Sequence, residues 1–347
     1  MGLLERSRRM WIGLFLGLLW LPPLGHLLLP GRSLSISEAR VLQPLPPFPR
    51  TRLELKVTPR VLDLFLADHF GFRDQLIDVN SVIRYALVPP TNPHVIFGKD
   101  GYFFYLAHEA LEQSLGLVVR TEPLERLADA LAQLHDELSR RGIKFLFTST
   151  PNNSTINASH VPDWAPRSPA VTEYDVLLRL LAARSVPTLD LRPALRAENA
   201  TRATYFRTDT HWNFLGALVA RNEMVRAIGH PEWAMAIDHV FRGMKTTYGE
   251  RDLPRILGVR NAPDDQHAVV DVSSYPDADG PTVLIIGDSF INQFFPMIWR
   301  NGGRFAFLQY ALCKIPLQAI QDHRPSIVIV AMVEASLPRV CEKRREH

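Results

Sequence analysis

The sequence predicts an α/β fold, a three-layer α/β/α arrangement with a parallel sheet at its centre, and three observations carry that expectation. Five short apolar runs, at 143–148, 187–191, 282–286, 304–308 and 326–332, have the length and composition of strands buried on both faces. Segments of helical character separate them, which is the pattern of a parallel sheet with helices on both sides. The run 282–286 ends in Gly287-Asp288-Ser289-Phe290. A serine is thereby set at the carboxyl end of a strand, where such sheets carry their reactive groups.

The elements follow in order. Residues 10–29 are apolar apart from Pro22, Pro23 and His26, and Arg6, Arg8 and Arg9 stand directly before them. The positive-inside rule then places the amino terminus in the cytoplasm and the rest of the chain outside. We expect a cytoplasmic stub and transmembrane helix over 1–30, making a single-pass protein of the inner membrane with its folded part in the periplasm. A cleaved signal peptide is the alternative, although no small-x-small site follows Leu29. The segment 31–57 is a Pro-rich linker, since Gln43-Pro44-Leu45-Pro46-Pro47-Phe48-Pro49 cannot continue a helix and forms an extended spacer.

The folded domain is expected over 58–341, with a charged tail at 342–347. Thr58 as N-cap and Pro59 at the first helical position open a helix through Asp68, and 76–87 has the pattern of a second. Residues 95–97 and 102–104 flank Gly98-Lys99-Asp100-Gly101, a hairpin signature. Thr121 and Pro123 open a long helix with Leu124, Leu127, Leu131, Leu134 and Leu138 on one face, closed by Gly142. Helices are further expected over 174–184, over 214–228 up to Gly229, after Ser289, and around 317–321.

Composition narrows the function. The chain has 347 residues, 46% of them hydrophobic and 22% charged, and a net charge of only +3. Arg6, Arg8 and Arg9 against Glu5 supply +2 of it, so the remainder carries no basic footprint for nucleic acid. Cys313 and Cys341 either pair outside the cytoplasm or are two unrelated buried thiols. No CxxC motif or His/Cys cluster calls for a metal, and no cofactor motif is present.

A serine alcohol is a poor nucleophile until a base takes its proton. Thr208-Asp209-Thr210-His211-Trp212-Asn213 offers one, with a carboxylate two residues before an imidazole to fix its tautomer. Gly287 permits a tight turn, and the amides that follow can hold an oxyanion. Each residue also has a structural reading. Ser289 can cap a helix, Asp209 can hold His211 in a core, Asp288 braces the turn, and Trp212 packs. Glu334, at the end of 326–332, either lines the site or is a solvated loop carboxylate.

Read circularly from Thr282, the strands and motifs fall in the order of an SGNH hydrolase, with 282–286 first and 187–191 fifth, leading to Asp209 and His211. This circularly permuted arrangement resembles the alginate O-acetylation proteins of the AlgJ and AlgX type, a family with an SGNH hydrolase-like domain. The resemblance rests on Asp68-His69-Phe70-Gly71-Phe72-Arg73, on Gly98-Lys99-Asp100-Gly101-Tyr102-Phe103-Phe104, and on the two segments that hold His211 and Ser289. It implies Ser289 as nucleophile, His211 as general base and Asp209 as its orienting carboxylate. It further implies a polysaccharide substrate and a membrane-bound O-acyltransferase partner as acetyl donor.

The expected chemistry is transfer of acetyl through Ser289 to a hydroxyl of a cell-envelope or secreted polysaccharide. With water as acceptor the same site is a carbohydrate acetylesterase. A non-catalytic glycan-binding or scaffolding protein of an acetylation complex is the third reading. Asn292 and Asn153 are candidate oxyanion donors beside the Ser289 amide, and Arg73 is expected to brace the fold through a buried ion pair. Two departures bear on the substrate. Asn152-Asn153-Ser154-Thr155-Ile156-Asn157 stands where the family tends to carry lysine and tyrosine, and Ala335 and Ser336 stand where an arginine often follows Glu334. The glycan is therefore not carried over by resemblance.

Overall fold

The computed structural model describes residues 3–28, 34–35, 40–72, 76, 94–165, 171–247, 251–257, 264–275, 280–300, 302–309 and 317–339. The chain divides into two compact units, Met1–Thr91 with Pro254–Ala262 and Asn92–Leu253 with Pro263–His347. Apart from Leu76, the helix expected at 76–87 lies outside the described residues, as do Arg73, Cys313 and Cys341.

The first unit contains two long helices, α1 (Leu3–Leu28) and α2 (Arg52–Asp68). Among the described residues no helix is long and apolar enough to cross a membrane, so the fold does not establish the anchor expected over 1–30. Charge occupies the first two turns of α1, where Glu5, Arg6, Arg8 and Arg9 fall. Residues 42–50 have no regular structure. The α2 helix starts seven residues before the position that Thr58-Pro59 suggests. Thr51 is the true N-cap, forming a reciprocal capping box with Glu54, while the Thr58 hydroxyl donates to the Glu54 carbonyl and Pro59 sits inside the helix. The stronger cap wins because it satisfies two orphan amides at once.

The second unit opens with a hairpin, β1 (Val95–Phe97) and β2 (Phe103–Tyr105), paired antiparallel around Asp100 and Gly101 at positive φ. There follow α3 (Ala110–Ser114), α4 (Thr121–Arg140), β3 (Lys144–Thr150), α5 (Asn153–Ile156), α6 (Glu173–Ala183), β4 (Thr188–Asp190), α7 (Arg192–Asn199) and α8 (Phe214–Ala227). A second antiparallel hairpin pairs β5 (Phe241–Thr247) with β6 (Asp265–Val270); between them in sequence is the short α9 (Asp252–Leu257), of which Asp252 and Leu253 belong to this unit. The rest is β7 (Thr282–Gly287), α10 (Ser289–Ile298), β8 (Arg304–Gln309), α11 (Leu317–His323) and β9 (Ile327–Val333). The five expected strands, five of the expected helices and the first hairpin are thus in place to within a few residues. The second hairpin and the short helices α3, α5, α7 and α9 were not expected.

The five strands form one parallel sheet in the order β8-β7-β9-β3-β4. Counted circularly from β7 this is the order 2-1-3-4-5, a doubly wound arrangement whose reactive groups belong at the carboxyl ends of its central strands. Strand alternation divides the apolar residues between two layers. Val283, Ile285, Ile327 and Ile329 pack with α8 and α10 on one face. Leu284, Ile286, Val328 and Val330 pack with α4 and α6 on the other. Each is fully buried, or nearly so, and burial of one such side chain contributes about 1.5–3 kcal/mol.

Candidate active site

At the end of β7 the chain must turn within one residue. Gly287 allows the close approach, because a Cβ there would lie 2.7 Å from the Ala331 carbonyl oxygen of β9. Asp288, in extended conformation, caps α10 by accepting from the Phe290 amide at 3.1 Å, and its other oxygen accepts from Val333 N at the end of β9 at 2.7 Å. Ser289 is therefore the first residue of α10 and not its cap. Its side chain is exposed, and its amide, in the first helical turn, has no intrahelical acceptor. An oxyanion placed there would also meet the positive end of the helix dipole.

The partner segment enters α8. Asn213 caps that helix by accepting from Leu215 N and Gly216 N, and Trp212 is completely buried against Phe295. The Trp212 indole donates to the Phe290 carbonyl at 3.0 Å, so one buried side chain ties this segment to α10. Packing is thus the role the structure gives Trp212. His211 then meets Ser289 across 78 residues of sequence, with Nε2 2.8 Å from the Ser289 Oγ. Its Nδ1 is 2.7 Å from Asp209 Oδ1, and the same oxygen accepts from the His211 backbone amide at 3.0 Å. Burial falls outward along the row, with Asp209 buried, His211 half-buried and Ser289 exposed.

Side chains from three other elements hold the loop between α7 and α8. Asn153 Nδ2 donates to the carbonyls of Phe206 at 2.8 Å and Asp209 at 3.0 Å. Asp265 of β6 accepts from Arg207 N at 3.0 Å, and from Thr208 N and Thr208 Oγ1, both at 2.8 Å. Asp252 of α9 accepts from Thr210 N at 3.0 Å and from the Thr210 hydroxyl, and its Oδ2 lies 3.7 Å from His211 Nδ1.

These contacts set the ionisation of the site. Burial opposes the charge on Asp209, but the hydrogen bond and charge of His211 outweigh it and hold the carboxyl below its ordinary value. Burial likewise opposes charge on His211, and the hydrogen bond and charge of Asp209, with Asp252 behind, lift the imidazole above its usual 6.5. Burial and the charge of Asp209 push Asp252 up to about 7. Asp209, His211 and Asp252 also offer ligand atoms mutually within 4.8 Å. The donors and acceptors named above engage those atoms as hydrogen-bond partners.

Of the further residues the sequence suggested, Asn292 stands exposed one turn after Ser289 on the same side of α10. Asn153 is not an oxyanion donor, because both hydrogens of its amide are spent on the Phe206 and Asp209 carbonyls. Glu334 neither lines the site nor meets solvent. It is fully buried, burial pushes its carboxyl up, and its Oε2 accepts from Asn152 N at 2.9 Å and Thr155 Oγ1 at 2.6 Å. Its contribution is to brace the turn that carries Asn153. Sequence reasoning missed Asp252, Asp265 and Thr210. Thr210 was quoted only as the spacer between Asp209 and His211, and no motif surrounds the two aspartates.

The arrangement can pass a proton from a serine hydroxyl to an imidazole whose far nitrogen is held by a carboxylate, which is the requirement for nucleophilic acyl chemistry. Comparison with known proteins agrees in kind. A family model described as the SGNH hydrolase-like domain of the acetyltransferase AlgX matches residues 95–295, more than half of the chain. A probable alginate O-acetylase AlgJ of Pseudomonas aeruginosa is 27% identical over 137 residues, which are 40% of this chain and 34% of that protein. The corresponding protein of Pseudomonas syringae pv. tomato is 25% identical over 162 residues, 46% of this chain and 40% of its own length. Each match thus spans well under half of the relative. Among solved structures, the O-acetyltransferase domain of Pseudomonas putida AlgJ superposes with a TM-score of 0.53 at 19% identity, covering 74% of this chain and 96% of that one. Bacillus cereus PatB1 gives 0.53 at 14% identity, covering 70% and 96%. At such identities the two structures speak for the fold.

Proposed function

This chain belongs to the AlgX family of SGNH hydrolase-like acetyltransferase domains, and from that premise we propose that it moves an acetyl group through Ser289 onto hydroxyls of a cell-envelope or secreted polysaccharide. The observation that carries the reading is the unbroken row Ser289 Oγ, His211 and Asp209, with gaps of 2.8 and 2.7 Å.

In this reading His211 Nε2 takes the Ser289 proton as Oγ attacks the acetyl carbonyl of the donor. The tetrahedral oxyanion is received by the Ser289 amide and the first turn of α10. His211 returns the proton to the departing group, which leaves acetyl-Ser289. A sugar hydroxyl then gives its proton to His211 and attacks the ester, and the proton passes back to Ser289 Oγ. Asp209 holds Nδ1–H throughout and offsets the imidazolium charge. Water in place of the sugar would make the same site an acetylesterase, and the balance depends on how well the acceptor excludes water.

The apolar stretch at 10–29 behind Arg6, Arg8 and Arg9 supports an inner-membrane anchor with the catalytic unit in the periplasm. A membrane-bound O-acyltransferase is the partner that would supply acetyl on that side. An export-dependent reporter fused after His347 should be active if this orientation holds, and its inactivity would reverse it.

The decisive experiment measures hydrolysis of a chromogenic acetyl ester and acetyl transfer to candidate glycans by wild type and Ser289→Ala, with mass spectrometry for acetyl-Ser289. Activity and adduct in wild type alone are expected. Equal inactivity of the two proteins in both assays would overturn the catalytic reading and leave a glycan-binding or scaffolding role.

A further inference from the structure

His211 can act as a base toward Ser289 only if its proton sits on Nδ1, leaving a lone pair on Nε2. Two groups contend for Nδ1. Asp209 Oδ1, at 2.7 Å, is an acceptor and favours the productive tautomer. The Thr210 hydroxyl, at 3.1 Å, is both donor and acceptor, and pointed at Nδ1 as a donor it would stabilise the opposite one. The direction of one hydroxyl proton therefore bears on whether the base is armed.

We propose that Asp252 is a positioning residue that fixes the tautomer of His211 by keeping the Thr210 hydroxyl proton turned away from Nδ1. One of its oxygens accepts from Thr210 N at 3.0 Å and the other accepts from Thr210 Oγ1. With Asp252 ionised both oxygens accept, the hydroxyl hydrogen is directed to the carboxylate, and only a lone pair faces the imidazole. Asp252 Oδ2 is itself 3.7 Å from Nδ1, beyond hydrogen-bond reach, so its influence on the ring runs through Thr210, through its side-chain hydrogen bond with Asp209, and through charge. The proposal rests on the acyl-transfer reading for its catalytic consequence, but the tautomer itself is a property of the resting protein.

The geometry makes an isosteric substitution informative. In Asp252→Asn the amide oxygen must stay on Thr210 N, since that N–H needs an acceptor. The amide NH2 then faces the Thr210 hydroxyl as a donor, and the hydroxyl proton is driven toward Nδ1. His211 should shift to the Nε2–H form, in which it cannot take the Ser289 proton. Thr210→Val removes the hydroxyl altogether and should cancel the effect.

The test records the 15N shifts of the two His211 nitrogens in full-length wild type, Asp252→Asn, Thr210→Val and the double variant, above the pKa values of His211 and Asp252. Wild type, Thr210→Val and the double variant should show protonated Nδ1, and Asp252→Asn protonated Nε2. In the ester assay, kcat of Asp252→Asn should fall by about 10- to 100-fold with KM nearly unchanged. The double variant should return to within about threefold of Thr210→Val. A merely structural Asp252 would lower the double variant as much as the single one. Protonated Nε2 in wild type, protonated Nδ1 in Asp252→Asn, or no recovery in the double variant each overturns the proposal. Should Asp252→Asn not fold, Asp252→Ala removes the same acceptor and is compared in the same way. Wild type without acetyl-ester or transfer activity would sink the functional reading, while the nitrogen shifts would still decide the tautomer.

Discussion

The nucleophile and the base reach a common hydrogen bond by unlike routes. Ser289 is placed by backbone: a parallel strand ends, Gly287 lets β7 and β9 close up, Asp288 caps the turn, and the first residue of α10 has little freedom left. His211 sits on an irregular loop whose position is set by side chains from elsewhere, namely Asn153 before it in sequence and Asp252 and Asp265 after it. A regular element satisfies its own amides, whereas a loop must borrow partners. The difference predicts where each half is vulnerable: the serine side to changes of backbone, the histidine side to loss of distant carboxylates.

The largest expected effect lies on the histidine side. Asp209→Asn keeps the shape of the loop but removes the acceptor for Nδ1–H, and kcat should fall by about 10³-fold or more with little change in melting temperature. Retention of full activity would mean that the pinned loop alone orients His211. Next comes Asp265→Ala, which leaves the buried amide and hydroxyl of Thr208 and the part-buried amide of Arg207 without their acceptor. Chemical denaturation should show a loss of about 2–4 kcal/mol, with a fall in kcat of about tenfold or more as the loop drifts. On the serine side, Gly287→Ala forces a Cβ against the Ala331 carbonyl and should lower stability by about 1–3 kcal/mol. If it were neutral, the close approach of β7 and β9 would not be what sets the turn.

The smallest effect is a displacement of the pH profile. His211 must be neutral to accept a proton, so activity should be lost as pH falls through its pKa. Because Asp209 and Asp252 raise that pKa, the acidic limb of kcat/KM should have its midpoint above 6.5. A midpoint below 6.5 would mean that burial outweighs the carboxylates.

The same division governs what was legible in the sequence. The strands were visible because burial on both faces leaves a continuous apolar run, as in Val283, Leu284, Ile285 and Ile286. Ser289 and the Asp209-x-His211 pair were visible because their chemistry is local to a turn and to three residues. The start of α2 was misplaced because Thr51 and Glu54 form a capping box that outcompetes the proline signal at Thr58-Pro59. The β5–β6 hairpin escaped notice because its half-exposed strands have no clean alternation. Asp252 and Asp265 escaped for a different reason. They act 42 and 57 residues away from Thr210 and Thr208, and a hydrogen bond at that separation leaves no periodic trace. Asn153 and Glu334 looked like site residues because they lie at strand ends, but both turn inward to hold backbone.

The strand order has a consequence for how the chain assembles. Among the described residues the pair β8-β7 and the pair β3-β4 are joined only by β9, the last described strand in sequence and the middle one in the sheet. Ser149 and Met332, bonded across β3 and β9, are 183 residues apart, and closing a flexible loop of that length costs about 5 kcal/mol of chain entropy. Before β9 arrives, each half-sheet exposes an unpaired inner edge rich in apolar residues, a surface prone to wrong pairing. Such high contact order makes for slow folding. Insertion of β9 is then the step that both completes the core and delivers Val333 to Asp288, so the nucleophile's turn is locked only when the sheet is whole.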